Sequence, residues 1–478
     1  MKHGAAGMAR VLTLAVSLVM SFLLAPAQAA DLAITGATLI DGTGSAPVRD
    51  AVVVIDDGRI SAAGPRTDVR IPQNAEVIDA TGRYLIPGLM DANLHLYLNR
   101  DLETLIKYEG RYHEIIIEAA QIALKTGLTT VFDTWGPRAP LVRARDAINA
   151  GEVPGARIYL AGNIIGYGGI FSTDFNAPAA QFVSRAFARR LDEMWEQGTG
   201  QDLLWAEPEK VRAAVREYTS LDVDFLKYGA SGHALHEMRF ISFSPRVQRI
   251  IIEEGHRAGL IVQAHTSTTE SLDLAIEAGV DILTHCDVSG ADTVLSDETI
   301  AKIAERGIPC SVIPVTQRRL EAMNAVDSDH WLPRYTANMK ENQRRMIAAG
   351  VTLLVSTDAG ITHPVLASEA TGIGAVRVDP RTTLGEGHFN ALVGLEELGM
   401  DPMAVLQAAT RNIAVAYHKE QELGTIEPGK RADLVILDHD PLEDARHYRS
   451  IATVIKDGEV VAIEGLPVAP LISSQEVE

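Results

Sequence analysis

Four times along this chain a helical pattern runs into a glycine and straight on into an apolar strand: KTGLTTV at 125–131, RAGLIV at 257–262, EAGVDIL at 277–283 and AAGVTLL at 348–354. Glycine at that junction ends a helix in the left-handed conformation and turns the chain back onto a sheet. The repeat leaves few folds open, because strands and helices alternating in this order build a parallel sheet covered by helices. Short apolar runs supply eight candidate strands: Tyr84–Asp91, Thr129–Thr134, Arg157–Ala161, Phe225–Gly229, Ile261–Thr266, Asp281–Cys286, Ile308–Val315 and Thr352–Asp358. Helical patterns fill the gaps at Glu103–Lys125, Pro208–Ser220, Pro245–Ala258, Thr269–Ala278, Asp297–Glu305 and Arg334–Ala349. Eight strand–helix units over about 330 residues predict an α/β fold, a (β/α)8 TIM barrel with insertions. An open doubly wound sheet is the alternative, but no GxGxxG follows the first strand, so its nucleotide fingerprint is missing.

The two ends of the chain read as β-structure. LAITGATLIDG and AVVVIDDGRISAAG near the start carry Asp-Gly turns, and ADLVILD and ATVIKDGEVV near the end carry another. The echo of VVIDDGRI in TVIKDGEV suggests one small β-sandwich built from both ends, residues 30–83 and 420–478, around a barrel at 84–419. The longest insertion, Asn163–Gln201, opens Gly-rich and carries Trp195, with Trp205 soon after; a lid is the expected role.

Residues 1–29 stand apart from this plan. Lys2 and Arg10 make a basic start, Val11–Leu24 is uncharged, and Ala27-Gln28-Ala29 is a small-x-small cleavage site, the pattern of a secretory signal peptide. Export to the periplasm or outside the cell is therefore expected. That segment holds two basic residues and no acidic one, so the formal net charge of −20 becomes −22 on its removal. A chain this acidic repels nucleic acid and anionic membranes, and neither is predicted as a partner after signal cleavage. Cys286 and Cys310 are the two cysteines, both in apolar strand patterns. Buried free thiols are the expectation, with a single bridge the alternative if their strands are neighbours.

In a barrel the C-terminal ends of the strands meet on one face. The first strand there gives Asn93 and His95, two residues apart and so pointing the same way. The fourth gives Lys227, the fifth His265, the sixth His285 and the eighth Asp358. Five strands each ending on a nitrogen or oxygen donor point to a metal site.

PGLMD-x-N-x-H, K-x-x-A-S-G, AH, THC and STDAG, followed by GTIEPGKRADLVILD, resemble the amidohydrolase superfamily in its imidazolonepropionase-like and prolidase-like branch. The resemblance covers nearly the whole chain after the signal segment and implies a distorted TIM barrel with a β-sandwich from both ends. It implies one or two divalent metals, Zn²⁺ first and Mn²⁺ or Co²⁺ as alternatives. His95 and Asp358 would hold the buried metal, His265 and His285 the exposed one, and Lys227 would bridge them as an N-carboxylate. Asn93 departs from the family's His-x-His, and a carboxamide oxygen binds first-row metals less strongly than imidazole.

The implied activity is hydrolysis of an amide bond outside a ring in a small molecule such as a dipeptide or N-acyl amino acid, with Asp358 moving the proton. Cyclic amides, lactones and phosphotriesters are alternatives, and a metal-binding protein without turnover is a third. The family often forms homo-oligomers. Tyr228, His233, His236, His363 and Tyr167 are further candidates for contact with substrate, beside Ser231 in the loop after the fourth strand. No GxSxG and no HExxH occurs, which removes serine-hydrolase and zincin readings.

Overall fold

The computed structural model describes residues 32–98, 101–232, 240–287, 294–361 and 371–471. Both ends of the described chain meet in one eight-stranded sheet. Its strands are β1 (Leu32–Leu39), β2 (Val48–Asp56), β3 (Arg59–Pro65), β4 (Glu76–Asp79) and β5 (Tyr84–Pro87) from the start. The far end contributes β15 (Leu434–Leu437), β16 (Ile451–Lys456) and β17 (Glu459–Val460). The order is β17-β16-β15-β5-β1-β2-β3, with β4 also on β1. Where two packed sheets were expected, the pairing gives a single mixed sheet.

Between these ends lie parallel strands separated by helices. One sheet has the order β6-β7-β8, from Leu89–Leu94, Leu128–Asp133 and Arg157–Leu160. The other runs β14-β13-β12-β11-β10-β9, from Leu353–Val355, Cys310–Val312, Ile282–Thr284, Val262–His265, Leu226–Gly229 and Ile164–Ile165. Strand order follows chain order without reversal, which excludes the doubly wound alternative with its switch point. β6, β7, β10, β11 and β12 are buried at every position, as expected of parallel strands covered on both faces. The sheets meet along one edge, where Asp358 N donates to Asn93 O at 2.9 Å and His95 N to Ala359 O at 2.8 Å. At the other edge Asp224 N donates to Leu160 O at 2.9 Å. Among the described residues these strands form two sheets, without one continuous ladder closing them into a ring.

All four junction glycines of the repeat, Gly127, Gly259, Gly279 and Gly350, have positive φ. Three departures from the sequence-based expectations have local causes. Tyr84–Asp91 is two strands in different sheets, because the chain passes from β5 to β6 at Pro87-Gly88; a Cβ on Gly88 would lie 2.1 Å from Thr129 Oγ1. The helix expected over Glu103–Lys125 breaks at Gly110 (φ +81°) into α1 (Leu102–Lys107) and α2 (Tyr112–Lys125). Cys286 and Cys310 form a disulfide, because β12 and β13 are neighbours in register at Leu283 and Cys310 and bring the two Cα atoms to 5.9 Å.

The remaining helices are α3 (Arg138–Asn149), α4 (Arg185–Glu196), α5 (Pro208–Tyr218), α6 (Pro245–Arg257), α7 (Thr269–Ala278), α8 (Asp297–Arg306), α9 (Gln317–Val326) and α10 (Trp331–Ala348). Gly387–Glu397, Pro402–Ala408 and Arg411–Ala416 complete the set. The 163–201 segment is packed. Trp195 on α4 is fully buried against Tyr97, Tyr112 and Trp135, and Gly169 N donates to Glu196 Oε1 at 2.9 Å. Among the described residues no helix is long and apolar enough to cross a membrane.

The mixed sheet is tied to the β6-β7-β8 sheet by an ion cluster centred on buried Arg157 and Asp433. Arg157, opening β8, reaches Asp433 at 3.1 Å and Asp457 at 2.5 Å, and Arg431 reaches Asp457 at 2.9 Å. Arg157→Met strands the buried Asp433 carboxylate and is expected to cost about 3–5 kcal/mol. A urea titration checks this, and adding Asp433→Asn should restore part of the loss.

Candidate active site

Every strand that carries a candidate donor ends at the same rim. The first β6 donor, Asn93, is fully buried, and its carboxamide is a hub. Asn93 Nδ2 donates to Asp358 Oδ1 at 3.0 Å, and its Oδ1 accepts from Lys227 Nζ at 2.9 Å and from the Thr134 hydroxyl. Lys227 also donates to Thr134 Oγ1 at 3.0 Å. Strand alternation on β10 turns Lys227 toward this cluster and Tyr228 away from it. Tyr228 is buried with its hydroxyl on Gln248 Oε1 of α6 at 3.0 Å, so the substrate contact considered for it is not what the structure shows.

His95 follows β6 directly. Its Nδ1 lies 3.2 Å from Trp135 O and its Nε2 lies 3.1 Å from Asp358 Oδ1. A carbonyl only accepts, so Nδ1 carries a proton, and Nε2 is the nitrogen that faces a carboxylate oxygen. That pairing is satisfied by a proton or by a metal cation between the two. A metal-holding histidine has the same arrangement, with its second nitrogen donating to a carbonyl.

His265 closes β11 and His285 follows β12; their rings meet edge to face with centroids 4.5 Å apart. Asp358 follows β14, its side chain 35% exposed and therefore reachable from the space before the rim. Burial works against its ionisation. The His95 hydrogen bond and the charges on His95, His285 and Lys227 outweigh burial and hold the carboxyl well below its usual range. Burial also lowers Lys227 to about 8, opposed by the charges of Asp358 and Asp133.

His285 (φ +40°) and Asp358 (φ +56°) are both in the left-handed region that non-glycine residues avoid. Strain of this kind persists where the surroundings enforce it, and it gathers at functional sites.

Tyr167 lies behind the cluster, its ring edge on His265 at 5.4 Å and its hydroxyl donating to Ser231 O at 2.7 Å. Ser231 Oγ in turn lies 2.7 Å from Ser267 Oγ, which locks the loops after β10 and β11 together. His233, His236 and His363 lie outside the described residues. Two acids were missed from the sequence alone. Asp133 at the end of β7 accepts from Leu96 N at 2.7 Å, and burial pushes it up to about 8. Asp91 accepts from Asn93 N at 3.0 Å and from the Thr357 hydroxyl at 2.5 Å, and burial pushes it up to about 7. The signal for Asp133 was present, since VFDTW ends a predicted strand on a carboxylate.

Among the described residues no group of three or more His, Cys, Asp or Glu side chains is arranged, as it stands, to hold a metal ion. The donors come instead as a His95–Asp358 pair and a His265–His285 pair, with Lys227 and Asn93 filling the space beside Asp358.

Known proteins share this fold. A molinate hydrolase structure superposes with a TM-score of 0.88 at 39% identity, covering 94% of this chain and 98% of that one. Phenylurea hydrolase B follows with a TM-score of 0.87 and 35% identity over 93% and 100% of the two chains. The ochratoxinase of Aspergillus niger is 26% identical over 90% of this chain and 86% of its own. Imidazolonepropionase of Geobacillus sp. strain WCH70 is 25% identical over 87% and 91%. Residues 84–461 match the amidohydrolase family, and with two hydrolase structures above 30% identity over nearly its full length, the chain belongs to that family of hydrolases.

Proposed function

We propose that the protein is an exported, divalent-metal-dependent hydrolase that cleaves the carbon–nitrogen bond beside a carbonyl in a small molecule. The observation that carries the reading is His95 Nε2 set 3.1 Å from Asp358 Oδ1 at the rim, a pairing that a shared divalent cation satisfies as well as a proton does. We read the two parallel sheets as halves of a distorted (β/α)8 barrel, with the donors on its catalytic face.

His95 and Asp358 would hold one metal, and His265 with His285 would offer a second position. A bound divalent cation supplies Lewis acidity toward the scissile carbonyl and acidifies a water, to a pKa of about 7 for zinc. Asp358, kept ionised by its neighbours, takes the proton from the attacking water and delivers it to the leaving nitrogen. Lys227, with its pKa drawn down to about 8, is the free amine more often than an ordinary lysine. That amine can add CO₂, releasing one proton, to give an anionic oxygen ligand in place of an ammonium. Asn93 and Thr134, now on Lys227 Nζ, orient that group.

Zinc fits the imidazole-rich set best, and manganese or cobalt suit the oxygen donors. The structures that match at 39% and 35% identity are named for molinate and for phenylurea, whereas a Xaa-Pro dipeptidase shares 23% identity at a TM-score of 0.68. This support shifts the substrate from dipeptides toward small uncharged compounds such as N-phenylureas and anilides.

Asp358→Asn is expected to lower kcat by about 10²–10⁴-fold while the protein still folds, because asparagine tolerates the positive φ at this position. Metal analysis of the same variant separates roles, and unchanged kcat would remove Asp358 from proton transfer. A screen of N-phenylureas, anilides, N-acyl amino acids and Xaa-Pro dipeptides, with Zn²⁺, Mn²⁺ or Co²⁺ added after chelation, should find turnover on the uncharged compounds. Turnover confined to lactones or phosphotriesters overturns the assignment. N-terminal sequencing of the exported protein should begin near Ala30.

A further inference from the structure

The Cys286–Cys310 disulfide lies beside a residue under backbone strain. β12 is three residues long and pairs with β13 at the single position Leu283–Cys310. The chain then leaves the strand through His285 at φ +40°, buried, its ring against His265. Nothing in so short a ladder would keep a non-glycine residue in that conformation. Instead, three successive residues are tied down. His285 N donates to Ser311 Oγ at 3.1 Å, Cys286 is bonded to Cys310, and Asp287 Oδ2 accepts from Ile313 N at 3.3 Å and from Gln343 Nε2 at 2.5 Å. The middle tie is the covalent one, adjacent to the strained histidine, and both of its cysteines are fully buried.

We propose that the Cys286–Cys310 bond is a positioning element of the active site, holding His285 in the left-handed conformation that turns its ring toward His265 and Asp358. The bond forms as two S–H bonds break, with two electrons and two protons passing to an oxidised dithiol carrier or small disulfide, which is reduced to thiols. Compartments to which proteins are exported supply such oxidants. Without the bond the 285–287 turn relaxes toward negative φ and the ring leaves its place. Groups that orient a metal ligand in this way typically change metal affinity by about 10–100-fold. The effect on affinity rests on the metal reading above, whereas the effect on the backbone does not.

The test compares oxidised wild type with Cys286→Ala, Cys310→Ala and the double variant. Zn²⁺ affinity is read by competition with a chromophoric chelator, and hydrogen exchange across 282–287 is read on metal-free protein. Both single variants should lose about 10–100-fold in affinity to the same extent, the double variant should be no worse, and exchange should rise in all three. Equal losses are the decisive feature, because Cys286 and Cys310 lie on different segments and share the bond, so a local effect of either substitution would differ from the other. Wild-type affinity with unchanged exchange in Cys310→Ala overturns the proposal, as do two free thiols in denatured oxidised wild type. A wild type that binds no Zn²⁺ sinks the metal reading instead, and exchange alone then decides the positioning role. If a variant fails to fold, wild type reduced in mild urea, alkylated and returned to buffer takes its place. Recovery of wild-type exchange in that alkylated protein also overturns the proposal.

Discussion

The rim depends on the seam between β6 and the segment just past β14. Two backbone hydrogen bonds cross it, Asp358 N to Asn93 O and His95 N to Ala359 O. A buried carboxylate stitches the same seam from below, since Asp91 accepts from Thr357 N at 3.3 Å and from its hydroxyl. Asp358 is therefore gripped on both sides, which is how a residue at φ +56° is maintained and why its carboxylate meets His95. The first and last parallel strands thus supply the pair on which the proposed chemistry turns, although the two residues are 263 positions apart.

Around that pair the environments of the acids diverge. Burial pushes Asp91 up to about 7 and Asp133 up to about 8, while Asp358 is held well below the ordinary range. Carboxyls driven apart in this way mark out which one is ionised and available as a base. Asp91 accepts from Asn93 N and from Thr357, Asp133 Oδ2 accepts from Leu96 N, and both hold the chain around them in place. Asp358 is the acid among them that is both charged and open to the space before the rim. Lys227 balances the charge from beneath, and its burial makes any chemistry that removes its positive charge easier.

Much of this was legible in the sequence because glycine punctuation and strand-end donors are local signals. The four junction glycines announced the helix-to-strand repeat, and His95, Lys227, His265, His285 and Asp358 each stood at the end of an apolar run. The hidden features depend on partners far along the chain. No local pattern says that Tyr84–Pro87 and Leu89–Leu94 belong to different sheets; the close approach of Thr129 to Gly88 decides it. The disulfide needed the β12–β13 register, and the stitching role of Asp91 needed Thr357. Asn93 looked like a weakened metal ligand when read alone. In place, its carboxamide oxygen already serves Lys227 and Thr134, and its nitrogen serves Asp358.

The same geometry explains why the site is built at strand ends and why its strain is tolerable. β12 and β14 are three residues each, too short for their ladders to dictate the conformation of the residues beyond them. That shortness lets His285 and Asp358 take positive φ and aim along the rim, where a longer strand would carry its extended conformation through them. Holding them then falls to contacts outside the ladder: a disulfide and Ser311 for His285, the β6 seam and Asp91 for Asp358. A site assembled this way gains its side-chain directions from the backbone and its rigidity from neighbours. Substitutions at the anchoring residues should therefore disturb the site more than their distance from the donors suggests.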